Sequence, residues 1–579
     1  AVFKTASPAA ASAASAANDT RAKKNSVGDG EGVRGINHVY YTLADVRASA
    51  SDAFARAPGR KETTAATLRV LGLEAVNGPT WPPVSVFAAD GPRRDIFDPT
   101  TCERLASIRS AEWQHVDAAL TRMREAQRRW AALPGNERVA IVMEVNNAIH
   151  ASREPLATLL TLEIGKIPSE SAGELAEIFE VAESIQERAA ECGGAAPHVT
   201  RRYESKDATR RALGWFGEER ALPLGIVGKV TAFNFPYAVF GWGALPALAA
   251  GNGVIWKPHP NAALTAMAMA RTVDAALARR GFSGLVCCVD VADHAVTRRM
   301  WADPRVGVWE ATGGEEMGVA LLHTVADARM TRTVLELSGN NAVVVAADAD
   351  VAQAVESCLF GTTGTAGQRC TSTRVVYVHG AVFDEFERLL VAGYKSRVRV
   401  GDPLMPGVNM GPVHHRARVA AFEAGVAAAV AAGSTLLCGG GVLGGNFVEP
   451  TLLRAPGFRH AATAHELFSP VAHLVRYEEG ELGAVVDDIN RTGYGLSGGV
   501  FTADMGVFER LAAEVRVGIL NLNYGSSGAE AGENFGGEGR TGGGRMMGPA
   551  MFTNYTRYVN SMRAPHGGEV VHAQGVTQN

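Results

Sequence analysis

The chain has 579 residues with nearly balanced charge, 56 Lys and Arg against 60 Asp and Glu for a net −4. At about 150 residues per domain it can hold roughly four domains and a large core. That balance excludes a broad polyanion-binding surface, which needs clustered Lys and Arg, and 46% hydrophobic with 20% charged residues excludes a disordered chain. Glycine is enriched, 65 residues or about 11% against a usual ~7%, so backbone turns tightly or approaches something closely at many points. The seven cysteines (Cys102, Cys192, Cys287, Cys288, Cys358, Cys370 and Cys438) form no CxxC pair or Cys/His cluster. Neither a disulfide framework nor a metal site is expected, and a reducing compartment fits. No window approaches the ~18 uninterrupted apolar residues of a membrane span.

Ala1–Asn18 carries nine alanines, three serines, Lys4 and no acid, and Arg21, Lys23 and Lys24 follow. Such a leader reads either as an organelle transit segment, with the mitochondrial matrix as destination, or as a solvated tail on a cytoplasmic protein. The stretch up to about residue 65 is set apart from the fold. Beyond it, residues 116–133, 136–152 and 169–190 place apolar side chains at i, i+3, i+4 spacing, which predicts amphipathic helices. Residues 197–220 are polar and predict a protruding hairpin. Strand-like runs then alternate with helices: strand 225–233, a helix from Tyr237, strand 253–257, helix 262–280, strand 285–290, a helix from Asp293, strand 306–312, a helix from Glu315 and strand 333–337. A second alternating series runs from Asn341 to about Phe508. The rhythm predicts an α/β protein of two lobes with parallel sheets.

Ligands of open α/β sheets sit beyond the carboxyl ends of strands, so reactive residues at those ends are the candidates. Cys370, in GTTGTAGQRCTSTR, is flanked by small-residue turns and Arg369. Backbone N–H groups and that guanidinium predict a lowered thiol pKa and a nucleophile; an ordinary buried cysteine is the alternative. Glu336 ends the apolar run VLELSG, where a carboxylate is costly unless it is a raised-pKa base or is paired. Asn234, in TAFNFP, offers either an amide donor to an oxyanion or an Asx turn before Pro236. Lys257 ends GVIWKPHP and serves either a ribose or phosphate, or solvent.

Taken with their spacing, these residues resemble the aldehyde dehydrogenase superfamily from about Thr63 to Arg563. Within it the chain is most similar to the antiquitin group, the α-aminoadipic semialdehyde (piperideine-6-carboxylate) dehydrogenases. GTAGQRC ending at Cys370, GNFVEPT at 445–451 and SGAEAGENFGGEGRTGGGR at 527–545 carry that narrower likeness. The resemblance implies a Rossmann-like NAD-binding domain (63–196 and 222–336), a catalytic domain (337–538) and a small β oligomerisation arm (197–221 and 539–565). An N-terminal extension (1–62) and a tail (566–579) flank them.

It also implies roles. Cys370 attacks the aldehyde, Asn234 holds the oxyanion, hydride leaves to the nicotinamide, and Glu336 activates water to hydrolyse the thioester. NAD, or NADP, is implied to lie along Ala232, Phe233, Lys257, Gly313, Gly314, Gly318, Leu337, Glu466 and Phe468. Glu177 and Arg369 take the two charged ends of aminoadipate semialdehyde, Gly528 and Ala529 form an anchor loop, Thr371 lines the pocket, and Phe535 and Trp242 form its apolar wall. Copies are implied to pair through the arm as dimers or tetramers, with no metal and no nucleic acid.

Four positions depart from the family pattern: Gly314 replaces a hydroxyl that would meet the pyrophosphate, Ala295 and Ser338 replace glycines, and Met546 replaces a glutamate, while Glu315 adds charge beside the phosphate helix. These changes predict weakened NAD affinity. They also leave open a catalytically impaired member with a structural or assembly role.

Overall fold

The computed structural model describes residues 56–73, 76–78, 80–81, 91–191, 201–548, 551–568 and 571; the expected leader and Cys192 lie outside them. Five parallel strands build the first sheet: β1 (Ile226–Val230), β2 (Gly253–Lys257), β3 (Val286–Val289), β4 (Val306–Thr312) and β5 (Arg332–Glu336). Their spatial order is β3-β2-β1-β4-β5, with Thr80–Trp81 and Gly542–Gly543 added antiparallel at the two edges. Chain order therefore reverses between β1 and β4, and the crevice beyond their carboxyl ends is where such a sheet binds a ligand.

The second sheet contains β6 (Asn341–Val345), β7 (Thr373–His379), β8 (Thr451–Arg454), β9 (Val471–Tyr477), β10 (Ser497–Phe501) and β11 (Ile519–Leu522). Its order is β8-β9-β7-β6-β10-β11, all parallel, with Thr435–Cys438 antiparallel outside β8. Both sheets are covered on two faces, as their apolar runs require. Runs such as Asn341–Val345 are buried throughout.

The predicted helices form within a few residues of their expected ends, at Trp113–Ala131, Gly135–Ala151 and Pro168–Glu191 (α1). Helix α2 (Pro236–Ala249) is apolar all round, and every one of its residues is buried, as a helix without a polar face must be. Helix α3 (Glu315–Ala328) follows β4. The polar stretch near 197–220 does form a hairpin-like pair, Arg201–Glu204 antiparallel to Phe216–Pro223. The strand Thr556–Arg563 then pairs along the whole of Phe216–Pro223, making a separate three-stranded sheet.

One helix begins inside the stretch that carries no local signal. Arg60–Val70 is held by Arg60, which is buried and donates to Asp98 (2.7 Å) and Asp402. Those partners lie far away in sequence, so composition around residue 60 could not reveal it. No described helix is long and apolar enough to cross a membrane.

Candidate active site

The strand ends of the first sheet supply most of the candidates. β1 runs out into Ala232, Phe233 and Asn234, β2 ends on Lys257, β4 leads to Gly313 and Gly314, and β5 ends on Glu336 and Leu337. Cys370 comes from the other lobe, in the loop that enters β7. Asn341, at the start of β6, pins this loop: its side-chain amide donates to the carbonyls of Cys370 (2.7 Å) and Ser372 (2.9 Å). The Asn234 amide donates to the Gln368 carbonyl (2.8 Å), which brings it to the loop that carries Cys370 and leaves its second hydrogen for another acceptor.

The loop before Cys370 is strained. Thr365 and Ala366, neither of them glycine, have φ of 53° and 51°, and Gly367 continues at 67° where a Cβ would run into the Ser469 backbone. Such backbone persists only when its surroundings hold it. Glu170, in the first turn of α1, does so: it accepts from the Thr365 N–H (2.7 Å) and from Arg369 (3.0 Å), while Arg369 Nε donates to the Thr365 hydroxyl (3.2 Å). Nothing in the local sequence marks Glu170 or Asn341, because their partners lie far along the chain. Glu170→Ala is expected to cost about 2 kcal/mol in denaturant unfolding, the scale of lost charged hydrogen bonds, and to lower kcat. Unchanged stability and turnover would show that the loop holds its shape without Glu170.

The thiol differs from its expectation. Burial, together with the facing Glu336 carboxyl, holds the Cys370 pKa well above the ordinary thiol range, and the Thr371 N–H pulls only weakly the other way. Arg369 does not offset this, being paired with Glu170. A thiol held this high would need a base to take its proton before it could attack, and the Glu336 carboxyl faces it. Its carboxyl is fully buried with no well-formed hydrogen bond to either oxygen. Burial raises it to about 7, against the pull of the nearby Cys370 thiol, Thr312 hydroxyl and Lys229. A carboxyl near neutrality can gain and lose a proton at working pH.

On the other side of Cys370 the Ser526 and Ser527 hydroxyls donate to the Thr371 carbonyl (2.9 and 3.2 Å), which ties the segment carrying Gly528 and Ala529 to the nucleophile loop. Trp242 and Phe535 pack at a tilt of 48°, with ring centroids 4.7 Å apart. Glu177 is half-buried on α1, and burial with neighbouring Glu174 raises it to about 7, opposed by Lys166 and Arg369. A carboxylate and a guanidinium thus stand within electrostatic reach of one another beside the thiol.

The crevice suits a dinucleotide. Helix α3 starts at Gly314 with no side-chain cap, so its first N–H groups are available to a phosphate. A Cβ at Gly318 would collide with Leu337, and one at Gly313 with Met317 (2.6 Å). Glu315 is turned away: it accepts from Arg540 (2.7 and 2.8 Å) and Tyr494 (2.9 Å), so its charge is neutralised rather than presented to the phosphate. Glu466 keeps one buried oxygen without a hydrogen bond, 3.6 Å from the Arg374 guanidinium. The Ser338 hydroxyl and Gly339 N–H support this carboxyl, whose pKa burial raises. Phe468 packs on Phe233 with centroids 6.0 Å apart. Lys257, lowered to about 8 chiefly by burial, closes the far end. Met546 is buried and accepts from the Thr312 hydroxyl (3.5 Å), so an apolar contact stands where the family has a glutamate. Ala295 lies in the first turn of its helix, its N–H bonded to Asp293 (2.6 Å). No cluster of three or more metal-ligating side chains occurs among the described residues.

A sequence profile described as the aldehyde dehydrogenase family matches residues 87–560. "Aldehyde dehydrogenase family 7 member A1" of Pisum sativum is 34% identical over 494 residues, covering 85% of this chain and 94% of its own. The "alpha-aminoadipic semialdehyde dehydrogenase" of Bos taurus is 34% identical over 468 residues, covering 80% of this chain and 84% of its own. Among solved structures, betaine aldehyde dehydrogenase from Staphylococcus aureus in complex with NAD+ superposes with a TM-score of 0.79 at 24% identity, covering 89% of this chain and 100% of that one. With identity at this level over most of both chains, and the fold in common, the chain belongs to the aldehyde dehydrogenase family and is an aldehyde-oxidising enzyme that uses a nicotinamide cofactor.

Proposed function

We propose that the enzyme oxidises α-aminoadipic semialdehyde to its carboxylic acid with NAD. The observation that carries the substrate reading is that Glu177 on α1 and Arg369, next to Cys370, are opposite charges within electrostatic reach of each other, with Arg369 also paired to Glu170. A substrate with an amino and a carboxylate group at its far end needs one partner of each sign, and Arg offers carboxylate a planar fork. The named bovine relative acts on this aldehyde, which supports the same reading.

In the reaction the Cys370 sulfur bonds to the aldehyde carbon while its proton passes to Glu336, and the carbonyl oxygen gains negative charge. The Asn234 amide, with its free hydrogen, donates to that oxygen. A bound nicotinamide supplies the hydride acceptor. Loss of hydride from carbon leaves a thioester on Cys370. Glu336 releases the Cys370 proton to solvent and is a carboxylate again; it then takes a proton from water as the water oxygen bonds to the acyl carbon, and returns it to the Cys370 sulfur as the carbon–sulfur bond breaks. Lys257, Glu466, Phe468, Phe233 and the α3 N-terminus would hold the cofactor. NAD is favoured over NADP by the antiquitin likeness; Pro260, shortly after Lys257, brings no carboxylate of the kind that excludes a 2′-phosphate. The sheet formed by Arg201–Glu204, Phe216–Pro223 and Thr556–Arg563 is the proposed arm between copies, because Thr556–Arg563 forms its free edge.

Glu177→Ala or Arg369→Ala is expected to lower kcat/KM for aminoadipate semialdehyde by about tenfold to a hundredfold, the scale of one lost charged hydrogen bond. Glu177→Ala should change turnover of a plain aliphatic aldehyde far less; Arg369→Ala, which also breaks the Glu170 pair, should slow both aldehydes but aminoadipate semialdehyde more. Equal losses on both substrates in either variant would reject the zwitterion-binding role.

A further inference from the structure

The first sheet carries two charges in its buried interior that the chemistry above does not use. Lys229 lies in the middle of β1 and Glu310 in β4, and both are fully buried. Strand register puts them opposite each other, and they form a direct ion pair. The Tyr555 hydroxyl, also buried, donates to the second Glu310 oxygen (2.5 Å). Helix α2 makes room for this group: Gly243 packs on Glu310, and a Cβ there would collide with its carboxylate. Glycine inside a helix costs about 1 kcal/mol against alanine, and a buried ion pair is often no more stable than an apolar pair of the same volume. Burying these charges does not by itself account for keeping them.

Their placement relative to Glu336 does. Register pairs Glu310 with Val334 and Thr312 with Glu336. Residues two apart on one strand share a face, and partners on neighbouring strands share it too. Lys229, Glu310, Thr312 and Glu336 therefore project from the same face of the sheet. Glu310 engages one of the three Lys229 N–H donors, while both Glu336 oxygens lack a hydrogen-bond partner. The groups bearing on Glu336 are the Cys370 thiol, the Thr312 hydroxyl, Glu466 and Lys229, and of these only Lys229 is cationic. Those bearing on Lys229 are Glu310 and Glu336. Met546, the neighbour of Thr312 on this face, contributes no charge.

We propose that Lys229, held by Glu310 and Tyr555, is a positioning residue for the base: its ammonium stabilises the ionised Glu336 carboxyl so that the base works at lower pH than burial alone would allow. This rests on the reading of Glu336 as the base that activates water. A cation lowers a carboxyl pKa, so removing it moves the acid limb of thioester hydrolysis upward.

The test is the pH profile of kcat, with acyl-enzyme hydrolysis followed in single turnover, for wild type, Lys229→Met, the double variant Lys229→Met with Glu310→Gln, and Glu336→Gln. The double variant leaves no unpaired buried charge and so decides the matter if the single one does not fold. Lys229→Met and the double variant should move the acid limb up by about one pH unit and approach wild-type rates above it. Folded variants whose limb stays at the wild-type pH, with or without a uniform loss of rate, would overturn the role of Lys229. A limb that survives in Glu336→Gln would instead overturn Glu336 as the base, and this inference with it.

Discussion

Replacing Cys370 by alanine is expected to lower aldehyde oxidation at least about a thousandfold, the scale seen when a nucleophile is removed from a catalytic set. No other described cysteine can stand in. Burial pushes Cys287 and Cys358 up to about 12 and holds Cys288 well above the ordinary thiol range. Cys438 is buried on the edge strand Thr435–Cys438 of the second sheet, and Cys102 lies near Asn446, whose amide also donates to the Pro99 carbonyl. Among the described cysteines, only Cys370 faces a buried carboxyl at the end of the first sheet, on a loop that the Asn234 amide also reaches. The residue is half-buried and the substitution removes a single sulfur atom, so the alanine variant should fold as wild type does. Steady-state turnover on an aldehyde, with the unfolding transition as control, checks this. Turnover above a tenth of wild type would mean that the carbonyl is attacked by another group.

Glu336→Gln should slow thioester hydrolysis about a hundredfold to ten-thousandfold, the range of general-base catalysis. The amide can take a proton neither from Cys370 nor from water, so acylation should slow as well, and the acyl groups that do form should remain on Cys370 and be visible as a mass adduct after aldehyde and cofactor are mixed. The same residue sets the pH response. Its carboxylate form is the base and its value is about 7, so wild-type hydrolysis should fall as the pH drops below about 7 and the carboxyl becomes protonated. Above that value the rate should level. In Glu336→Gln this limb should be missing. A variant that hydrolyses its acyl-enzyme at the wild-type rate would remove Glu336 from the chemistry.

Much of the site could be read before any coordinates because parallel α/β sheets collect chemistry at strand ends. Asn234, Lys257, Gly313 and Glu336 each follow a short apolar run, and all four open onto one crevice. The run from 527 to 545 is unusual enough to identify its relatives on its own. What could not be read depends on contacts between distant segments. The expected lowering of the Cys370 thiol assumed that Arg369 faces it, whereas Arg369 turns to Glu170, 199 residues away. Glu315 looked harmful to a phosphate until Arg540, 225 residues on, was seen to neutralise it. Glu310 reads as an ordinary strand residue unless its register against Lys229 is known, and Gly243 looks like one more glycine until its lack of a Cβ is seen to admit that carboxylate. The positive φ of Thr365 and Ala366 carries no glycine signal at all.

The most direct test of the proposed activity is an assay with piperideine-6-carboxylate and NAD. The enzyme should form reduced NAD and the carboxylic acid in equal amounts, with a kcat/KM well above that for a plain aliphatic aldehyde. A folded enzyme that forms no reduced cofactor from this substrate, with either NAD or NADP, would contradict the proposed function.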